Sequence, residues 1–386
     1  MRNLVALIIL CLCYPLSASA QAASSTVICK KRSNGAITLR TRRCLASETK
    51  ITNITALRGP TGPTGARGSA GSEGADGSLR IYGDGSSGAL NVATTTSWSG
   101  SEALGQYTDC SIAAGVTLTV PTGTVLRCSG SFTNDGTIVV TNSYLGPQTG
   151  GVPVSGGMLP NYLGASTPGL GWGRVAAGNA GYGTSSAAVA GGAGGFALPS
   201  SVARNILRPG TIGGGAGGSP VGAYGASGGG TITVLAKGAL VNNGTIEANG
   251  VGGGSGLGGG GAGGIIILAS KESVRNGVTG SLEADGGPGS DSNISRASGG
   301  GGGGGLIHIL SPVINMVGAS SVLGGAAGDS SVNVTNSPRS GGGGGGSMVG
   351  AGGAGGTVAT NDTISGTAAG ANGLVIQTLT DPTSLF

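Results

Sequence analysis

The chain has 386 residues, of which 87 are glycine, 9% are charged and 3% are aromatic, with a net charge of +5. A typical globular protein is about a quarter charged and about 7% glycine. So few aromatics exclude an ordinary core of Phe, Tyr and Trp. So much glycine requires long runs of backbone hydrogen bonding to offset the entropy lost on folding.

In chain order, Met1-Arg2-Asn3, the apolar run Leu4 to Leu12 and Ala18-Ser19-Ala20 read as the three parts of a secretory signal peptide over 1–20. No later apolar run is long enough to cross a bilayer, so no transmembrane segment is expected. The expected location is therefore secreted or cell-surface. Cys11 and Cys13 would leave with the signal. Cys29, Cys44, Cys110 and Cys128 remain, an even set in an oxidising compartment. Of the possible pairings, Cys29–Cys44 and Cys110–Cys128 are favoured, because each closes a short loop.

Residues 21–56 read as a small two-cysteine β-hairpin module. Val27-Ile28-Cys29 and Ala36-Ile37-Thr38-Leu39 flank Asn34-Gly35, a strong hairpin turn. Lys30, Lys31, Arg32, Arg40, Arg42, Arg43 and Lys50 make this start strongly basic, and Arg58 and Arg67 continue the trend. Two readings remain open: a contact for anionic surfaces such as lipopolysaccharide or wall polymers, or a solvated face that aids solubility. With no aromatic platform near the charges, nucleic acid is not an expected partner.

Residues 57–80 carry Gly59, Gly62, Gly65, Gly68, Gly71, Gly74 and Gly77 on a strict three-residue period. Only glycine fits the axis of three wound chains, so the run predicts a collagen-like triple-helical stalk, and with it a homotrimer. Its length would be roughly 65 Å at the usual polyproline rise.

From residue 81 to 386 the texture is Thr, Val, Ile, Asn and Gly. Gly230 to Leu235 followed by Asn243-Gly244-Thr245-Ile246 aligns with Gly264 to Ala269 followed by Thr279 to Gly286, and with Gly305 to Leu310 followed by Ser320 to Gly324. Gly115 to Val120 followed by Asn134 to Val140 reads as an earlier copy of the same unit. Repeats of this spacing predict an all-β fold: a parallel β-solenoid, β-helix-like, with each strand paired to its copies above and below. Alternation puts Ile232, Val234, Ile266, Leu268, Ile307 and Ile309 on one inward face, and Ile246, Leu282 and Val322 in a second inward column. Leu374 and Ile376 would close the last coil. The glycine tracts 191–195, 213–218, 250–264, 299–305 and 341–346 recur at one position of the repeat. They read as polyglycine-type inserts, extended and bonded side by side through the backbone.

Little in the sequence points to catalysis, and the chain is not expected to be an enzyme or to use a cofactor or metal. His308 is the only histidine, and its place in the column of Thr233 and Ile267 predicts an exposed or edge position. Glu247 and Glu283 would stack in adjacent coils beside Asp285, as repeat drift would also produce. A polysaccharide-active enzyme is the remote alternative, and a passive coat or matrix component the nearer one. Recognition is the favoured reading. Tyr162, Trp172 and Tyr182 lie among glycines, where an aromatic either caps the solenoid or forms a platform for glycans. Arg296 and Arg339 mark polar insert tips.

The segment from Cys29 through Cys44 to Glu48, followed by Gly59-Pro60-Thr61-Gly62-Pro63, resembles the two-cysteine module ahead of collagen-like triplets in secreted bacterial proteins. The stretch from Tyr82-Gly83-Asp84-Gly85-Ser86 to the Asn-Gly-Thr-Ile turns is similar to bacterial and phage glycine-rich repeat proteins, including tail-tip adhesins. That likeness implies receptor binding through loops at the tip, here of glycans or a cell-surface receptor.

Overall fold

The computed structural model describes residues 25–53, 81–98, 102–141, 200–207, 226–253, 258–293, 297–331, 341–347, 349–359 and 363–386, with Gly194, Ala197, Gly214 and Gly217. The chain divides into two compact units, Met1–Ser72 and Glu73–Phe386. The expected signal peptide and the Gly-X-Y stalk lie outside the described residues.

In the first unit, β1 (Thr26–Lys31) pairs antiparallel with β2 (Ile37–Thr41) and with β3 (Glu48–Lys50). The hairpin forms as read from Asn34-Gly35: Ile28 faces Leu39 and Cys29 faces Thr38. Gly35 has φ of +71°, the left-handed conformation this turn needs and other residues resist. The third strand was not expected. The disulfide Cys29–Cys44 pins its approach, and Cys29 is fully buried beneath it.

The second unit is nearly all β. Six successive coils each give one strand to each of three parallel six-stranded sheets. The first coil supplies β4 (Leu90–Val92), β5 (Thr96–Ser97) and β6 (Gln106–Tyr107). The second supplies β7 (Cys110–Ile112), β8 (Thr117–Val120) and β9 (Thr124–Cys128). Next come β10 (Phe132–Asn134), β11 (Thr137–Val140) and β12 (Thr231–Ala236), then β13 (Leu240–Asn242), β14 (Thr245–Glu247) and β15 (Ile265–Ser270). The fifth coil has β16 (Val274–Asn276), β17 (Ser281–Glu283) and β18 (Leu306–Ser311). The last has β19 (Ile314–Met316), β20 (Ala319–Ser321) and, after a small hairpin of β21 (Thr357–Val358) and β22 (Ile364–Ser365), β23 (Leu374–Leu379). This is a β-solenoid-like arrangement, as the repeats predicted.

Apart from Val322, the inward columns are those expected. Ile232, Val234, Ile266, Leu268, Ile307, Ile309, Ile246 and Leu282 share one core with Phe132, Leu118 and Ile138. The second disulfide, Cys110–Cys128, lies within this core and ties the first sheet to the third inside one coil. At the corner between the first two sheets the buried Asn134, Asn242 and Asn276 form a ladder. The amide of Asn134 donates to Asn242 Oδ1 at 2.8 Å, and that of Asn242 to Asn276 Oδ1 at 2.8 Å. Each buried amide thus finds in the next coil the partner it would otherwise lack.

Three expectations need correction. The aligned segments marked two strands per unit, but the unit has three; those of the first sheet, mostly three residues long, are too short to show alternation. Thr117–Val120 stacks on β11 in the second sheet; the neighbour of β12 on that side is Thr124–Cys128. Ser320 stands beside Leu282, which leaves Val322 two residues further along and only half-buried.

Candidate functional site: one corner of the solenoid

The turns from the first to the second sheet are short. The long connections of the last four coils all leave between the second and third sheets: 141–230, 248–264, 284–305 and 322–373. Within the described residues their glycine tracts are extended, as expected, and bond to one another. The tract Gly299–Gly305 is fully buried and shows the rule. Gly299, Gly302 and Gly305 donate to the carbonyls of Ser290, Gly287 and Ala284 in one neighbour. Gly300 and Gly303 donate to Gly342 and Gly345 in a second, and Gly301 and Gly304 to Ala368 and Ala371 in a third. Its carbonyls accept from three further tracts: from Gly260 and Gly263, from Gly325 and Gly328, and from Gly353. Every third residue addresses the same neighbour, the period of an extended threefold helix. Glycine is required here for close approach, because a Cβ on Gly302 would collide with the Gly261 carbonyl. At the bundle's edge Ser298, Ser330 and Thr367 bond through their hydroxyls at 2.6 to 3.1 Å.

The five residues expected to bind ligand all fall in these connections: Tyr162, Trp172 and Tyr182 in 141–230, Arg296 in 284–305 and Arg339 in 322–373. All five lie outside the described residues. Cys29, Cys44, Cys110 and Cys128 lie within them and pair as favoured.

Glu247 and Glu283 do stack in register in adjacent coils. Partial burial, then the charge of Glu283, raises the Glu247 pKa. Glu283 accepts from Ser281 at 2.8 Å and Asn249 at 3.3 Å, while Asp285 accepts from Ser321 at 2.6 Å and from the Leu323 amide at 2.6 Å. Glu283, through Asn249, and Asp285, through Ser321 and Leu323, thus join adjacent coils. The one group of potential metal ligands among the described residues is Cys29, Cys44 and Glu48, and its sulfurs are joined in a disulfide.

His308 departs from expectation. Its column is right, since it pairs with Ile267 and Ile376, but it is only 2% exposed. The outer face of the third sheet carries a second core. Ile81, Tyr82 and Ala203 of the short helix α1 (Ser200–Ala203) cover Ile265, Ile267, Leu306 and Leu310, with Ile206, Leu207, Val349 and Phe386 packed around them. This explains why β12, β15 and β18 are buried along their whole length. The Tyr82 hydroxyl meets that of Thr383 at 3.4 Å, so the start and end of the unit meet on this cover. His308 Nε2 bonds Thr378 Oγ1 at 2.9 Å, and its Nδ1 has no partner among the described residues. Burial, and then the charge of Arg204, lowers its pKa to about 4. It is a neutral structural side chain.

No helix among the described residues is long and apolar enough to cross a membrane. Comparison with models of known families, with curated proteins and with solved structures finds no match.

Proposed function

We propose that the chain is an exported, non-enzymatic surface protein, a trimeric adhesin whose collagen-like stalk carries a solenoid head. The head presents the tips of its long connections to glycans or a receptor on another surface. One observation carries this reading: every long connection leaves the solenoid at a single corner, supported by a bundle of mutually bonded glycine tracts. Such a bundle fixes the roots of the connections while leaving the residues beyond it free to vary, as a recognition surface requires. Loops on a rigid scaffold are the usual place for binding residues.

The test is adhesion of the purified protein to a panel of glycans and cell surfaces, beside Trp172→Ala and the pair Arg296→Ala and Arg339→Ala. Loss of binding in these variants, with an unchanged β-type circular dichroism spectrum, is expected. Binding to nothing in the panel would favour the coat component. The trimer is tested separately by native mass, for which a monomer is the contrary result.

A further inference from the structure

The first unit carries the positive charge of the whole chain. Residues 25–53 contain seven basic side chains and one acid, a net of +6, against +5 for the entire sequence. Its small sheet has two unlike faces. One holds Val27, Cys29, Thr38, Arg40 and Glu48, with Lys31 and Lys50 at its exposed edge positions. There the Cys44 segment closes over Cys29, and Arg40 meets Glu48 at 2.8 Å. Glu48 also accepts from Thr38 at 3.3 Å, and its side chain is nearly buried. Among the described residues the opposite face has no such cover. Ile28 stands opposite Leu39, and Lys30 opposite both Ile37 and Thr49. Arg32 donates to Thr49 Oγ1 at 3.2 Å and so joins this face. Ile37 and Leu39 are 51% and 71% exposed.

Ile37 and Leu39 therefore lie side by side with Lys30 on one exposed face. The pairing matches an anionic lipid surface, where cations meet phosphates and apolar groups enter the boundary between headgroups and acyl chains. Contact between copies of this face is disfavoured, since it would set Lys30 and Arg32 against their own images with a net +6 on each side.

We propose that this face docks on anionic lipid. Ile37 and Leu39 enter the headgroup layer while Lys30 and Arg32 meet the lipid phosphates. The site goes beyond the adhesin reading and does not depend on it: it would hold the chain to a membrane surface by its first unit, whatever the head recognises.

The experiment is co-sedimentation of the chain from Gln21 onward with phosphatidylcholine vesicles, with and without phosphatidylglycerol. Binding is expected only with phosphatidylglycerol, and to fall in high salt. The double variant Ile37→Ser, Leu39→Ser keeps every charge and is expected to bind at least about tenfold more weakly. Lys30→Gln with Arg32→Gln is expected to weaken binding as well. These are surface positions, so intact circular dichroism and an intact Cys29–Cys44 bond serve as folding controls. Equal partition of the parent chain to both vesicle types would overturn the proposal, as would full binding by the Ile37/Leu39 variant. So would an absence of binding to either vesicle type; a native mass that then falls in the Ile37/Leu39 variant would make the face a contact between copies.

Discussion

Ile266 lies between Ile232 and Ile307 of the adjacent coils, and there the side chain makes the contact. Gly302 lies in the path of carbonyls from Gly261, and there the missing side chain makes the contact possible. Both residues are buried in the same unit. The solenoid core is held by apolar burial, which tolerates small shifts of register and shape. The glycine bundle is held by main-chain bonds on a fixed period, with no atoms to spare between tracts. A conventional core fails when atoms are removed, and the bundle should fail when atoms are added.

The comparison breaks most sharply at its centre. Ile266→Ala deletes a fully buried side chain between two coils and is expected to cost about 4 kcal/mol in denaturant unfolding. A loss comparable to that of an exposed residue would mean the solenoid is not held by its apolar columns. The mirror experiment is Gly302→Ala, which adds one methyl group where a neighbouring carbonyl stands and is expected to cost about 3 kcal/mol. Hydrogen exchange should show protection lost first at the amides of Gly299–Gly305 and their partners, with β15 and β18 less affected. A neutral Gly302→Ala would show the tracts to be loosely packed.

A smaller effect sharpens the contrast between the two faces of the third sheet. His308 has a folded pKa of about 4 against an ordinary value near 6.5. The unfolded chain therefore binds its proton first as pH falls. The stabilising contribution is whole above the unfolded value and drains away as the pH drops from there toward 4. Roughly 3 kcal/mol is expected to be lost over that window, and His308→Gln should flatten this part of the profile. An identical pH profile in parent and variant would mean the outer cover admits water to His308.

Much of this was legible in the sequence, for reasons that differ between regions. Asn34-Gly35 announced its hairpin because the turn chemistry is local. Ile232, Ile266 and Ile307 announced their column because alternation repeats in each coil. The strands Leu240–Asn242, Val274–Asn276 and Ile314–Met316 were hidden, since three residues carry no period. The burial of His308 was hidden too, because the outer core on its sheet draws on Tyr82, Ala203 and Phe386, far away in the chain. The tracts declared their glycine but not their partners: nothing local to Gly300 says that it bonds Gly342. The aromatic and arginine residues at the connections were singled out by composition alone, and the stacked Glu247 and Glu283 by the repeat.

The threefold addressing within the bundle sets a rule for how such a head can vary. Adding three residues to a tract lengthens it by one turn and leaves every existing bond with its old partner. Adding one or two rotates all later amides toward the wrong neighbour. Insertions and deletions along these tracts should therefore survive in multiples of three residues, as reading frames do in a gene, while the tips beyond them remain open to any length.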